Sequence, residues 1–498
     1  MANSQSSSRT DCYAFTGIQR DVNPFTMKDG DLWTCINWYS HQALAKKVRP
    51  GYTQFLNQID TSPVQNLIYV GPTTPGARPR LFRISNKKLY PYVMGFGQVV
   101  WFASIQTFTV DQYTGNTILA GSGGIALHLT NGTDPYMTVS STNVVTTWAN
   151  GTANRPHFLT SWRSRVFSDV NNIRFAQSSI GFDITYADPW LQSTLDPASS
   201  GTVAVDDAGN GGLIVGLSTT IDRVNIYRQN SVYRYTGQGL VKLAFDDAII
   251  GGSQNIAHWN LGGIDYFLSS KGIYKMDGRS VAPASFGINT IIEDTFNKQG
   301  ITNPIPFSWG NMTGFYIGNI QIGSEVVPNG CFVHDERYDE WYVWSLGHQM
   351  TSFCNYIDPA TGVNTLICGD VNGNTYIWGE QYGSDNGTAI SFRLRTKYFD
   401  FGGPEVSKIP DRIAVSSYKG SEATISVAKN YDDQFSEIDV MNGFIRKVPL
   451  PDRIMPNFYA LSVEISGSTT SARPEFYGVT IKIKDEGERY NSGSSLKQ

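Results

Sequence analysis

The chain has 498 residues, enough for two or three domains or for one large repeated architecture with a module added. Charged residues make up only 16% of it, against about 25% in an ordinary soluble domain. The formal net charge is −4 and no basic run occurs, which excludes sequence-independent adhesion to nucleic acid; no stretch of eighteen apolar residues occurs either, so no membrane insertion is expected.

The opening stretch MANSQSSSRTD is polar and lacks the apolar run of a secretory leader. Residues 1–60 read as an irregular segment for docking or closure, with turn signals at Asp29-Gly30 and Pro50-Gly51. Between them one strand is predicted around Leu32 to Tyr39, rich in Trp and Ile. From 61 to 385 one unit recurs. An apolar strand runs into a short turn rich in Gly, Asn, Asp and Ser, and a second strand follows, ending on an aromatic residue with Gly close behind. Leu268 to Gly278 (LSSKGIYKMDG) and Ile367 to Gly379 (ICGDVNGNTYIWG) carry it most clearly. Ile226 to Gly237, Val166 to Ala176, Ile118 to Gly132 and Leu81 to Tyr92 are looser copies.

Strand pairs returning every few tens of residues predict an all-β fold with a β-propeller body of six or seven blades. Val100 to Phe102, Leu213 to Val215, Ile264 to Phe267, Phe315 to Ile317 and Trp341 to Trp344 are the predicted inner strands. One helix is predicted within Ser285 to Gly300. There Ile288, Ile291, Ile292 and Phe296 fall at helical spacing, and Gly300 can cap the end.

The texture changes at QYGSDNGT, which reads as a linker. Beyond it Ile413 and Val415, Ile425 and Val427, Leu461, Val463 and Ile465, and Val479, Ile481 and Ile483 alternate with mostly polar residues. Such alternation means one wet and one buried face. It predicts an antiparallel β-sandwich over residues 386–498, with a frayed polar tail after Lys484.

No pattern of residues announces a chemistry. The five cysteines, Cys12, Cys35, Cys331, Cys354 and Cys368, have no metal-site spacing and read as reduced structural thiols made in a cytosol. The six histidines, His41, His128, His157, His258, His334 and His348, form no local metal nest, so no metal and no cofactor is expected. The acid pairs Asp246-Asp247, Glu293-Asp294, Asp335-Glu336 and Asp432-Asp433 could in principle serve glycoside hydrolysis, but each reads as solvated charge in a turn or on a polar face. DVNGNTY (Asp370 to Tyr376) glances at a calcium loop and at a sialidase Asp-box; a hairpin turn is the better reading. Trp101, Trp148, Trp162, Trp190, Trp309, Trp341 and Trp378 could line a sugar groove, and packing between blades uses the same residue type.

Three stretches together resemble the propeller proteins of bacteriophage tails. The first runs from Asn23-Pro24 and Asp29-Gly30 through Asn37 and Lys46-Lys47 to Arg49-Pro50-Gly51-Tyr52. The second is Arg165 to Ser179 followed by Asp188-Pro189-Trp190, with Ala176-Gln177 where the family usually has Ser. The third is Tyr266 to Ile292. The resemblance implies a non-enzymatic structural virion protein, the tail nozzle or hub of a short-tailed phage, made in the host cytoplasm. It implies a homo-hexameric ring docked on a head-to-tail adaptor, with a tail fibre or tailspike and a needle or plug protein as further partners. Double-stranded DNA would pass the ring without specific binding, and loops near Asn116 to Gly124 or Gly201 to Gly212 would narrow the bore. The competing expectation is a propeller that binds or cleaves host carbohydrate, and a third is a scaffold for protein partners.

Overall fold

The computed structural model describes residues 8–24, 26–71, 79–93, 100–110, 115–121, 124–147, 155–170, 174–177, 201–205, 212–237, 239–252, 255–256, 258–261, 263–357, 362–401, 403, 405–418, 423–441, 444–450 and 457–485. Among the described residues the structure is all-β, 57% strand and 3% helix, with many sheets.

Six four-stranded antiparallel meanders follow one another in chain order. Their first strands are Asn66–Val70, Gly115–Gly121, Leu159–Trp162, Ile214–Thr219, His258–Leu261 and Ile305–Trp309. A seventh starts with Met350–Ile357, Asn364–Asp370 and Thr375–Gly379; its fourth strand is Gly51–Leu56, from the other end of the chain. First strands touch between the second and third, third and fourth, fifth and sixth, and sixth and seventh meanders, and the first strand of the seventh touches that of the first. Within a strand, alternate residues go to opposite neighbours. Leu81 packs with Tyr356 and Ile367 of the seventh meander, while Phe82 and Ile84 pack with Leu127 and Leu129 of the second. Burial on both faces is why these strands read as nearly continuous apolar runs.

The remaining strands form two further layers that share one core. One joins Leu32–Ile36, Thr388–Thr396, Leu461–Thr469, Thr424–Lys429 and Ser436–Val440. The other joins Trp38–Gln42, Ala45–Val48, Glu475–Asp485, Lys408–Tyr418 and Ile445–Pro449, with Ser8–Tyr13 also on Glu475–Asp485. Ile413, Val415, Ile425, Val427, Leu461, Val463, Ile465, Val479, Ile481 and Ile483 are all buried, as their alternation requires. Leu32–Ile36 runs parallel to Glu340–Ser345 and antiparallel to Thr388–Thr396. It thereby joins the sixth meander to the first layer, and Ser384–Asp385, paired with both Thr388–Thr396 and Gly51–Leu56, brings in the seventh to make one 14-stranded sheet. The two ends of that sheet's path, Ile305–Trp309 and Met350–Ile357, come back into contact, so it nearly closes on itself.

All six hairpins read from the sequence form antiparallel pairs. The helix spans Asn289–Lys298, with Gly300 at φ 74° accepting the left-handed turn that ends it. Its first N–H groups are met from far away. The Asp21 carboxylate accepts from the backbone of Gly287, Asn289 and Thr290 at 2.9 Å each.

Several expectations are corrected. The described part of the segment 1–60 is not irregular: five strands lie between Ser8 and Leu56, four of them because they find a sheet edge far along the chain and Trp38–Gln42 because it pairs with Ala45–Val48 beside it. Val100 to Phe102 lies outside any strand. Ile264 to Phe267 and Phe315 to Ile317 belong to second strands and Trp341 to Trp344 to a fourth, so apolarity alone did not mark the first strand. Asn116 to Gly121 and Gly124 are strand, not loop, and so are Gly201–Ala204; residues 206–211 lie outside the described residues.

Candidate functional site at the closure seam

The Arg49-Pro50-Gly51-Tyr52 segment lies where the N-terminal strands, the sixth and seventh meanders and the two layers meet. Arg49 is 0% exposed. Its Nη1 and Nη2 donate to the two carboxylate oxygens of Asp385 at 2.9 and 2.5 Å. Nε donates to the Asn37 side-chain carbonyl at 2.9 Å, Nη1 also to the Pro50 carbonyl, and Nη2 also to the Ser345 carbonyl at 2.6 Å. Every donor of the guanidinium fork is met. Burial works against this charge, but the carboxylate of Asp385 and its hydrogen bonds outweigh it and hold the guanidinium above its usual range.

Asn37 ties three parts of the chain. It sits at φ 64°, a region Asn tolerates better than most residues. Its Oδ1 also accepts the Ser345 N–H at 2.7 Å, and its Nδ2 donates to the Ser391 carbonyl at 2.6 Å. Gly51 is required by close approach: a Cβ there would stand 2.0 Å from the Ser384 carbonyl oxygen. The Tyr52 hydroxyl meets His348 Nδ1 at 2.9 Å, and its ring leans on Tyr376 and Trp378. Burial first, and then the Asp385 charge, push the Tyr52 hydroxyl far above the ordinary phenol range.

Two more charged networks flank the seam. Lys46 is fully buried and its Nζ donates to Glu340 and Ser40 at 2.6 Å and to Tyr342 at 3.0 Å. Arg473 donates to Glu380, to the Tyr39 hydroxyl and to the Val48 carbonyl. Burial raises the Glu380 carboxyl, but Arg473 reverses that and leaves it below its usual value. The chemistry of all three is that of fixed, fully partnered charge: it holds segments together and offers no free acid, base or nucleophile.

Asp385, the centre of the seam, falls in the stretch read as a linker. Ser384–Asp385 pairs with Thr388–Ala389 through a two-residue turn in which Asn386 and Gly387 have φ 49° and 89°. Asn-Gly with both φ positive is the tight hairpin signature, and that signal was available in SDNG.

The other singled-out residues are scattered. Asp247 is taken by Lys271 and Tyr274, Asp294 by Lys298, Asp335 by Arg337, and Asp433 by Arg395. Asp370 is buried and closes its own turn, accepting from the backbone of Asn372 and Asn374 and from the Tyr376 hydroxyl. His157 and His334 each face an aspartate, His128 meets Tyr136, and His258 stacks on Tyr227. Among the described residues no group of three or more His, Cys, Asp or Glu converges. Trp101, Trp162, Trp341 and Trp378 are buried in packing, Trp309 is half-buried, and Trp148, Trp190 and the Asp188-Pro189-Trp190 turn lie outside the described residues.

The seven first strands share one property that the sequence reading did not isolate. None contains Lys, Arg, Asp or Glu. The second strands beside them carry Arg80, Arg83, Arg165, Asp169, Arg228, Asp265 and Asp370.

No protein-family model matches the chain, and no curated protein is similar to it. Among solved structures it is similar to the computationally designed Ika8 protein, at a TM-score of 0.39 and 10% identity, over 66% of this chain and 99% of that one. Nothing about function can be drawn from a likeness of that size.

Proposed function

We propose that the chain is a structural virion protein: a seven-bladed β-propeller shut by its own N-terminal strand, with a β-sandwich appended. Its role is that of a tail nozzle of a short-tailed bacteriophage, six copies surrounding the path by which DNA leaves. The observation that carries this reading is the placement of the Arg49-Pro50-Gly51-Tyr52 segment. The first of the three stretches that resemble phage-tail propellers holds the residues that lock the N-terminal strands, the last two meanders and the C-terminal layers into one body. A part that must bear load during ejection gains from such a lock. Scarce charge and plentiful aromatic residues suit a surface that meets neighbouring copies.

Cleavage of carbohydrate is the weaker reading. It needs two convergent carboxylates. The first strands supply none, and the acids of Asp247, Asp294, Asp335 and Asp433 are each engaged by a cation. The test is a cryo-electron microscopy map of the virion that carries this chain. Six copies around the DNA path, between the adaptor and the distal tail, are expected. Another symmetry, or a position wholly off that path, overturns the nozzle reading.

A further inference from the structure

A cleft of about 200 Å³ opens where the first strands of the fifth, sixth and seventh meanders meet. Its walls are His258 and Trp259, Pro306 to Ser308, and Phe353 to Asn355. Phe353, Ser308 and Asn355 are half-exposed, whereas Trp259 is buried and stacks on Tyr266. Asn355 Nδ2 donates to Ser308 Oγ at 2.5 Å. That bond leaves the Ser308 hydroxyl hydrogen and the Asn355 carbonyl oxygen for a ligand.

The chemistry of this wall selects its occupant. Among the described residues that line it none is acidic, Lys or Arg, so an ionic ligand would lose its hydration and find no full counter-charge there. A wholly apolar ligand would leave the Ser308 and Asn355 groups unmet. The half-exposed Phe353 ring, backed by the buried Phe307 ring at 5.2 Å, offers apolar surface beside those polar groups. The volume is below the roughly 300 Å³ where drug-sized sites begin, which suits a single ring. We infer that this cleft is a binding subsite for one uncharged pyranose residue, its apolar face on the Phe353 ring and its hydroxyls on Ser308 and Asn355. The site is one for binding and not for cleavage: none of the described residues that line it carries a carboxylate. It does not depend on the nozzle reading, because the cleft lies within one copy of the chain.

Saturation-transfer NMR on the full chain tests it, with the methyl glycosides of glucose, galactose and mannose as probes and methyl glucuronate as the charged control. Transfer to at least one neutral hexoside, and weaker transfer to the glucuronate, is expected. The Ser308→Ala/Asn355→Ala variant should weaken that binding by about tenfold at an unchanged melting temperature. No transfer from any neutral hexoside at millimolar concentration overturns the inference, and so does equal binding of the glucuronate or undiminished binding by a folded double variant. If the double variant does not fold, hydrogen exchange of the unaltered protein decides. Protection of residues 305–309 and 350–357 by the bound hexoside supports the site, and protection elsewhere alone refutes it.

Discussion

Arg49 and Asp385, 336 residues apart in sequence, face each other through two parallel hydrogen bonds in a site from which water is excluded. Arg49 stands just before the strand that completes the seventh meander, and Asp385 lies in the hairpin that leads into the C-terminal layers. The pair therefore joins both ends of the repeated body to those layers.

Removing one partner leaves a buried charge alone. Asp385→Ala and Arg49→Met should each cost about 3–5 kcal/mol, read as a shift in the urea midpoint. Arg49→Lys keeps the charge but loses the fork, and should fall between these and the unaltered protein. The Arg49→Met/Asp385→Leu double variant should recover part of the loss, since no lone charge remains. Additive losses in the double variant would contradict the ion-pair account.

Gly51→Ala should destabilise by about 1–3 kcal/mol, because the added methyl meets the Ser384 carbonyl across a strand contact that cannot open locally. Gly239→Ala is the control, since nothing lies within 4 Å of a Cβ there. Thermal unfolding of the two variants side by side checks the difference.

His128 gives the fold an acid-side weakness. Burial pushes its imidazole from 6.5 down to about 3. The unfolded chain therefore takes the proton first. The stability this residue contributes is full above about pH 6.5 and is lost as the pH falls toward 3, at about 1.4 kcal/mol per unit within that window. His128→Gln should flatten the stability profile between those limits relative to the unaltered protein. Parallel profiles would show that the residue does not titrate in this way.

The thiols should report folding. Burial pushes the Cys35 thiol up to about 12 and raises Cys331 and Cys368 further. All three are fully buried and should resist alkylation at pH 8 until the chain is unfolded. Cys354 is half-exposed in the cleft wall and should be labelled before these three, though slowly, because burial of its sulfur raises it to about 12 as well. Peptide mapping of the order of labelling checks this.

The local elements were legible in the sequence because local chemistry fixes them. Gly373 at φ 82° within DVNGNTY and Gly278 at φ 92° at the end of LSSKGIYKMDG mark hairpins whatever surrounds them. The alternation at Ile413, Val415, Ile481 and Ile483 likewise follows from one buried face. Pairing between distant segments was not legible. Nothing in Gly51–Leu56 says that its partner is Thr375–Gly379, because strand pairing uses backbone groups that every residue has. Asp385 was hidden for a related reason: a polar residue in a Gly-rich turn looks solvated until the Arg it meets is known. The uncharged first strands emerged only once strand order within each meander was known.

The pairing of Gly51–Leu56 with Thr375–Gly379 also sets a timetable for the growing chain. The strand is synthesised early, and its partner leaves the ribosome some three hundred residues later. At 5–20 residues per second that is a wait of roughly 15 to 65 s, during which six meanders can form while the early strand has no mate. A translation product halted before Thr375 would hold a stack of finished meanders with both outer faces open. Such fragments present unpaired edges and uncovered apolar faces, and they should be captured by chaperones or aggregate rather than persist.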